Sequence, residues 1–236
     1  MADPVFVFML TRRDETVPRA AAVARRAVAA GVRHIGFKDV GARPRVLAAL
    51  AAELRAAGAA TYLEVVSLDE AEERRAAELA LEIGVDALMG GTRPALVAPT
   101  LRGSGVRYFP FAGRIAGHPS RLLGDLAAIA AHAAEIGAID GVDGLDLLAY
   151  RGEGDAPALM AAVCAATAKP VIVAGSIDRP ERIAAVRRAG AFGFTVGTAA
   201  IEGAFAGARR GLAAQLAAID AAARGQDPAP VRPRQN

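Results

Sequence analysis

The chain has 236 residues, of which 53% are hydrophobic, with one cysteine and a formal net charge of +3. Length and apolar content suit one large domain, and no uninterrupted apolar stretch approaches the roughly 18 residues of a membrane span. The charge is modest and the arginines lie scattered along helical segments without interleaved aromatics, which argues against nucleic acid as a partner.

Short apolar runs alternate with Ala/Arg/Glu/Leu-rich segments, the pattern of parallel strands joined by helical crossovers. The N-terminal run has no basic region before it and no small-residue cleavage site after it. It reads as a first strand over 5–11 and not as a signal peptide. A helix over 17–30 follows, then a strand over 34–40 and a helix over 44–57 that stops at Gly58. The third strand covers 61–67. Asp69 caps the next helix, which runs to 83 and ends at Gly84. A fourth strand over 86–89 closes on Gly90-Gly91-Thr92, with a short helix after it. The fifth strand, 107–111, leads into a loop over 112–119 and an alanine-rich helix over 120–136. Strand 145–150 and helix 156–168 come next. The last two strands end at Gly175-Ser176 and Gly197-Thr198, with helices over 180–189 and 208–223 behind them.

Eight strands in strict alternation with eight helices predict a single α/β domain over 1–225, a (βα)8 TIM barrel with eight parallel strands. The proline-rich tail, 226–236, is predicted to be disordered. An open doubly wound sheet would have fewer strands and often a glycine fingerprint after the first; TRRDET there has no glycine. The lone Cys164 cannot form an internal disulfide, which fits a reducing cytoplasm.

Two of the strands thus stop at small residues, each leading toward a helix. Backbone N–H groups at such turns make an anion site. In a (βα)8 barrel the loops after strands 7 and 8 are where a phosphate commonly sits. The stretches VIVAGSI and RIAAVRRAGAFGFTVGTAAIEG resemble the phosphate-binding half of the ribulose-phosphate-binding barrels. That group includes the histidine- and tryptophan-pathway barrels, ribulose-phosphate epimerase and the orotidine-phosphate decarboxylase group. The resemblance implies that Gly175, Ser176, Gly197 and Thr198 hold a phosphate through backbone N–H groups and the two hydroxyls. The competing reading is that these small residues only close tight turns. The first half lacks the patterns that distinguish individual members. Strand 1, FVFMLTR, has no aspartate. Strand 3, YLEVVS, has no Asp-x-Lys-x-x-Asp, and His34 is at the wrong end of strand 2 for a metal. The reaction is therefore not carried over with the fold.

The chemistry is sought at the C-terminal ends of the strands. Only Lys38 and Lys169 among the 28 basic residues are lysines. A lysine kept in so arginine-rich a chain points to chemistry that a guanidinium cannot do. Alternation turns Ile35 and Phe37 outward and Lys38 inward, and places Glu64 inward on the neighbouring strand. Lys38 then serves as a Schiff-base lysine or as a cation that stabilises an enediolate, with Glu64 moving protons. The bland alternative is a buried ion pair tying two strands together. In LDLLAYR, simple alternation allows Asp146 or Arg151 to face the interior, but not both.

Other candidates lie in the top-face loops. Arg12, Arg114 and Arg151 are candidate anion clamps; Arg13 reads as a surface arginine. His118 is a candidate acid or base or a cap for the following helix, and Tyr150 a candidate proton donor. Asp39 reads as a loop cap, His34 and His132 as structural. No metal ligands, dinucleotide fingerprint, P-loop or nucleophile elbow is recognisable, so no cofactor and no metal are expected. The expected function is that of a cytoplasmic enzyme acting on a small phosphorylated metabolite with a carbonyl group, a lyase of aldolase or dehydratase type. The alternatives are a cofactor-free isomerase or epimerase using Glu64 and His118, and a non-catalytic barrel that binds a phosphorylated metabolite. Neither a membrane nor nucleic acid is an expected partner, and the apolar helices leave room for a homo-oligomer.

Overall fold

A computed structural model describes residues 2–226 of the chain. Its core is an eight-stranded parallel sheet: β1 Val5–Met9, β2 His34–Lys38, β3 Ala60–Val65, β4 Ala87–Gly90, β5 Arg107–Phe109, β6 Leu145–Leu147, β7 Val171–Val173 and β8 Gly193–Val196. The strands pair in the order β6-β7-β8-β1-β2-β3-β4-β5. The two ends of that row meet. Phe111, just past β5, bridges Asp146 of β6, and the Asp146 N–H donates to the Pro110 carbonyl at 2.9 Å. The Ala112 N–H donates to the Asp146 carbonyl at 2.9 Å, so the sheet curls into a barrel.

The crossovers are α1 Ala20–Ala29, α2 Pro44–Ala56, α3 Glu70–Ile83, α4 Pro94–Leu101, α5 Leu126–Gly137, α6 Ala156–Ala166 and α7 Pro180–Arg188. After β8 come a short helix, α8 Thr198–Ile201, and α9 Leu212–Ala223. Asp69 caps α3 by accepting the N–H groups of Ala71 and Glu72, and Gly84 ends it at φ 65°. Proline opens α2, α4 and α7, where its missing N–H removes no helical hydrogen bond.

Period-two alternation sorts the strand side chains. Phe8, Ile35, Phe37, Leu63, Leu147 and Val173 point out and pack with the helices in the larger core. Val7, Met9, Tyr62, Met89, Phe109 and Ile172 fill the barrel. Gly36 is needed there because a Cβ would run into the Met9 sulfur. Above that apolar plug the buried inward residues are polar: Lys38, Glu64, Asp146 and Thr195.

Three expected elements are redrawn. The first strand ends at Met9, and Thr11–Arg12 pairs antiparallel with Glu15–Thr16 in a small ribbon. The strand expected over 145–150 stops at Leu147, and Ala149–Arg151 forms a 3-10 turn. The helix expected to begin at Ser120 begins at Leu126, because Asp125 supplies the cap by accepting the Ala128 N–H at 2.8 Å. The intervening residues form a second antiparallel ribbon, Arg114–Ala116 with Arg121–Leu123. No described helix is long and apolar enough to cross a membrane. The tail over 227–236 lies outside the described residues.

Candidate active site

Lys38 is the last residue of β2 and pairs in register with Glu64 of β3. Both side chains enter the barrel mouth, where Lys38 Nζ donates to Glu64 Oε1 at 2.9 Å. On its other side Nζ donates to Asp14 Oδ1 at 3.2 Å. The three side chains are buried, with 4%, 6% and 4% of their surface exposed for Lys38, Glu64 and Asp14. The first ribbon delivers Asp14. Its two-residue turn, Arg13-Asp14, has φ of 53° and 62°, the left-handed pair of a tight hairpin. The Thr16 hydroxyl fastens this ribbon to β2: it accepts the Lys38 N–H at 2.8 Å and donates to the Lys38 carbonyl at 2.9 Å.

Arg151, carried by the 3-10 turn after β6, grips Asp14 with both guanidinium nitrogens, at 2.6 and 2.8 Å. The tip of the second ribbon completes the cluster. The Ser120 N–H donates to Asp14 Oδ2 at 3.1 Å, and Arg151 donates to the Ser120 carbonyl at 3.3 Å. Two cations and two carboxylates therefore interlock across the ends of β2 and β3 and the loops that follow β1, β5 and β6. Charge-assisted and bidentate contacts of this kind hold side chains in one geometry.

Burial opposes the charges of Asp14 and Lys38, and their partners decide the outcome. For Asp14 the desolvation is outweighed by Arg151 and Lys38, which hold its carboxyl well below the usual range. For Lys38 burial pushes downward, but Glu64 and Asp14 push harder, and its pKa lies above the ordinary lysine value. Asp146 goes the other way. It is fully buried, and both its carboxylate oxygens lack a hydrogen-bond partner. Desolvation and the charge of Glu64 raise its pKa well above the usual range. Asp39, beside Lys38, is raised to about 6 by burial, against the N–H donated by Val66 at 3.1 Å.

A cavity of about 660 Å³ opens above Lys38 and Glu64. Its opposite wall is made by the loops after β7 and β8, where Gly175, Ser176, Gly197 and Thr198 all line it. Gly175 and Ser176 have φ of 78° and 56°. A Cβ on Gly175 would run into Arg151, and one on Gly197 would lie 2.8 Å from the Thr11 hydroxyl. Among the described residues, the N–H groups of Ser176 and Ile177 make no hydrogen bond, and both residues line the cavity.

No protein-family model matches the sequence, and no curated protein matches it. Solved structures do match. One is an Amycolatopsis orientalis BexX/CysO complex, at 20% identity and a TM-score of 0.62, covering 94% of this chain and 88% of that one. Another is an HpcH/HpaI aldolase from Desulfitobacterium hafniense DCB-2, at 13% identity and a TM-score of 0.62, covering 85% and 89%. A third is a tryptophan synthase complex from Pyrococcus furiosus, at 15% identity and a TM-score of 0.62, covering 85% and 89%. The chain is a TIM barrel. At such identities the match speaks for the fold and not for the reaction.

The cavity thus gathers Lys38, Glu64, Tyr150 and Arg151 with the four residues of the phosphate loops. Tyr150 stands at its rim: its hydroxyl donates to the Arg182 carbonyl at 3.4 Å, and the Arg182 guanidinium lies 4.7 Å from its ring centre. Asp146 and Arg151 both turn inward, where alternation allowed only one, because the 3-10 turn breaks the strand between them. Four candidates do not line the cavity. Asp146 is fully buried and is not part of its wall. His118 is exposed on the second ribbon's tip, Arg12 is exposed beside the first ribbon's turn, and Arg114 opens into a different cavity. His132 lies outside the barrel-mouth cavity, its Nδ1 accepting the Gly113 N–H at 2.9 Å, and His34 sits against the Tyr62 hydroxyl at the other end of the barrel. Sequence reasoning missed Asp14 and Ser120. The available signal for Asp14 was a charged pair between two short β-rich stretches, RD, which lacks the usual Asn-Gly mark of a two-residue turn.

Proposed function

We propose that the chain is an enzyme acting on a small phosphorylated aldehyde or ketone, as a lyase of aldolase or dehydratase type. The observation that carries this is the single cavity with a buried Lys38–Glu64 pair on one side and the β7 and β8 loops on the other. The free N–H groups of Ser176 and Ile177, with the Ser176 and Thr198 hydroxyls, take the phosphate. That directs the carbonyl end toward Lys38.

Lys38 is an ammonium in the ligand-free site, ready to donate to a carbonyl oxygen as negative charge grows on it. Glu64 takes a proton from the substrate. In a retro-aldol step that proton comes from the hydroxyl on the carbon two bonds from the carbonyl carbon. The carbon–carbon bond then breaks, its electron pair forms the enolate that Lys38 stabilises, and the enolate is reprotonated on carbon. In a dehydration, Glu64 takes the proton next to the carbonyl and returns it to the neighbouring hydroxyl, which leaves as water as the carbon–carbon double bond forms. In the imine variant, Lys38 first passes a proton to Glu64 and then adds to the carbonyl carbon with loss of water. Arg151, fixed by Asp14, contributes a second positive charge to the same wall. The aldolase among the similar structures supports this reading at the level of fold alone. The isomerase alternative loses its second group, because His118 is exposed away from the cavity.

The test is a panel of phosphorylated aldoses and ketoses followed by 31P and 1H NMR for cleavage or loss of water, with borohydride trapping and peptide mass mapping alongside. Turnover with an adduct on Lys38 supports the imine variant, and turnover without one supports the cationic variant. Saturable binding with no turnover across the panel would make the protein a non-catalytic phosphometabolite-binding barrel.

A further inference from the structure

A second cavity, of about 600 Å³, lies behind the second ribbon, between the loops after β3, β4 and β5 and the start of α5. The ribbon is a shared wall: residues 119–121 line the candidate active site, while residues 113–115 and 123–124 line this one. The polar side chains of the second cavity are Thr92, Arg93, Arg114 and His132, and no carboxylate lines it. Its apolar wall is built from Leu68, Ile115, Leu123 and Ile129.

Three of the polar side chains that line this cavity keep donor capacity that no described residue takes up. Arg93 gives one nitrogen, Nη1, to the Leu68 carbonyl and to Glu73, each at 2.8 Å. Among the described residues its Nε and Nη2 have no partner. Glu73 is fully buried behind it and is satisfied by the Thr92 N–H and hydroxyl and by the Arg93 N–H, so it cannot also serve the cavity. Arg114 is exposed on the ribbon and makes no ion pair among the described residues. His132 accepts the Gly113 N–H on Nδ1, so neutral His132 carries its proton on Nε2. A pocket lined by guanidinium and imidazole groups together with aliphatic side chains suits a molecule with an anionic end and an apolar body.

We propose that this cavity is a second binding site, for a small amphipathic anion that places a carboxylate or phosphate on Arg93 and Arg114 and an apolar body against Leu68, Ile115, Leu123 and Ile129. The site is independent of the reading of the barrel mouth.

Isothermal titration of the full-length protein with hexanoate and with hexyl phosphate tests it, with hexanol and inorganic phosphate as the halves of the ligand. Two variants locate the site. Arg114→Ala removes an exposed cation, and Ala128→Trp projects a ring across the opening from an exposed position on α5. Far-UV circular dichroism checks that both are folded. The expected result is saturable binding of at least one of the two amphipathic anions, at least tenfold tighter than hexanol or inorganic phosphate. Arg114→Ala should weaken it about tenfold, the loss of one charge-assisted contact, and Ala128→Trp should abolish it. Absence of binding by both amphipathic anions would overturn the proposal. Equal affinity for hexanol, or binding unchanged in both variants, would overturn it as well.

Discussion

Replacing Lys38 by methionine removes the cation that donates to both Glu64 and Asp14, and the structure says how the cost divides. Breaking a buried ion pair by deleting one partner costs about 3–5 kcal/mol, because a charge is left uncompensated. Asp14 keeps both guanidinium contacts of Arg151 and the Ser120 N–H. Among the described residues, the Glu64 carboxylate has no other hydrogen-bond partner than Lys38. Most of the loss therefore belongs to Glu64. Lys38→Met should cost about 3–5 kcal/mol, and the double variant Lys38→Met/Glu64→Gln should recover about half or more of it. Urea unfolding at pH 7.5, followed by far-UV circular dichroism and extrapolated linearly, measures both. A single variant that loses less than about 1 kcal/mol would show the pair to be solvated. A double variant as unstable as the single one would show that the cost lies elsewhere than on Glu64. Recovery would also mean that the pair is not kept for stability, which leaves chemistry as the reason for it.

Other outcomes follow from the same geometry. Asp39 has a folded-state pKa of about 6 against an ordinary 3.8, so the folded protein holds its proton over that range while the unfolded chain releases it. Its contribution to stability is full below about pH 4 and is lost as pH rises through 6. Asp39→Asn should remove that slope and gain up to about 3 kcal/mol at pH 8; identical pH profiles for the two proteins would contradict this. Asp146→Asn removes a buried acid with two orphaned oxygens, so its urea midpoint at pH 8 should match or exceed that of the parent. An unfolding free energy lowered by more than about 2 kcal/mol would mean that the carboxyl has a partner. Gly175→Ala places a Cβ against Arg151 at a φ of 78°. It should cost about 1–2 kcal/mol and weaken binding of phosphorylated ligands several-fold, read by titration. Unchanged affinity would separate Arg151 from the ligand.

The barrel and its inward pair were legible in the sequence for one reason: strands alternate with period two, and HIGFKDV and TYLEVVS each have an unbroken apolar face that sets the phase. The same rule failed at LDLLAYR because both phases carry leucine there, and a 3-10 turn after Leu147 lets Asp146 and Arg151 share the interior. Asp14 was hidden for a different reason. Its place over the barrel depends on a hairpin turn in which both residues, neither a glycine, adopt left-handed backbone, and on Thr16 binding the end of β2. Neither is a local preference of RRDET. Ser120 was read as the start of a helix, but the helix begins at Leu126, where Asp125, five residues on from Ser120, caps it. The length between them is used to build the ribbon that walls both cavities.

The measurement that bears most directly on Lys38 and Glu64 as the reacting pair is solvent-deuterium exchange next to the carbonyl of small phosphorylated ketones and aldehydes, read by 1H NMR. The parent protein should exchange that hydrogen or cleave the neighbouring bond in at least one compound, and Lys38→Met and Glu64→Gln should each lower the rate at least a hundredfold, while Arg12→Ala should leave it unchanged. Tight binding of such a compound with no exchange and no cleavage, or exchange that survives both substitutions, would contradict the assignment.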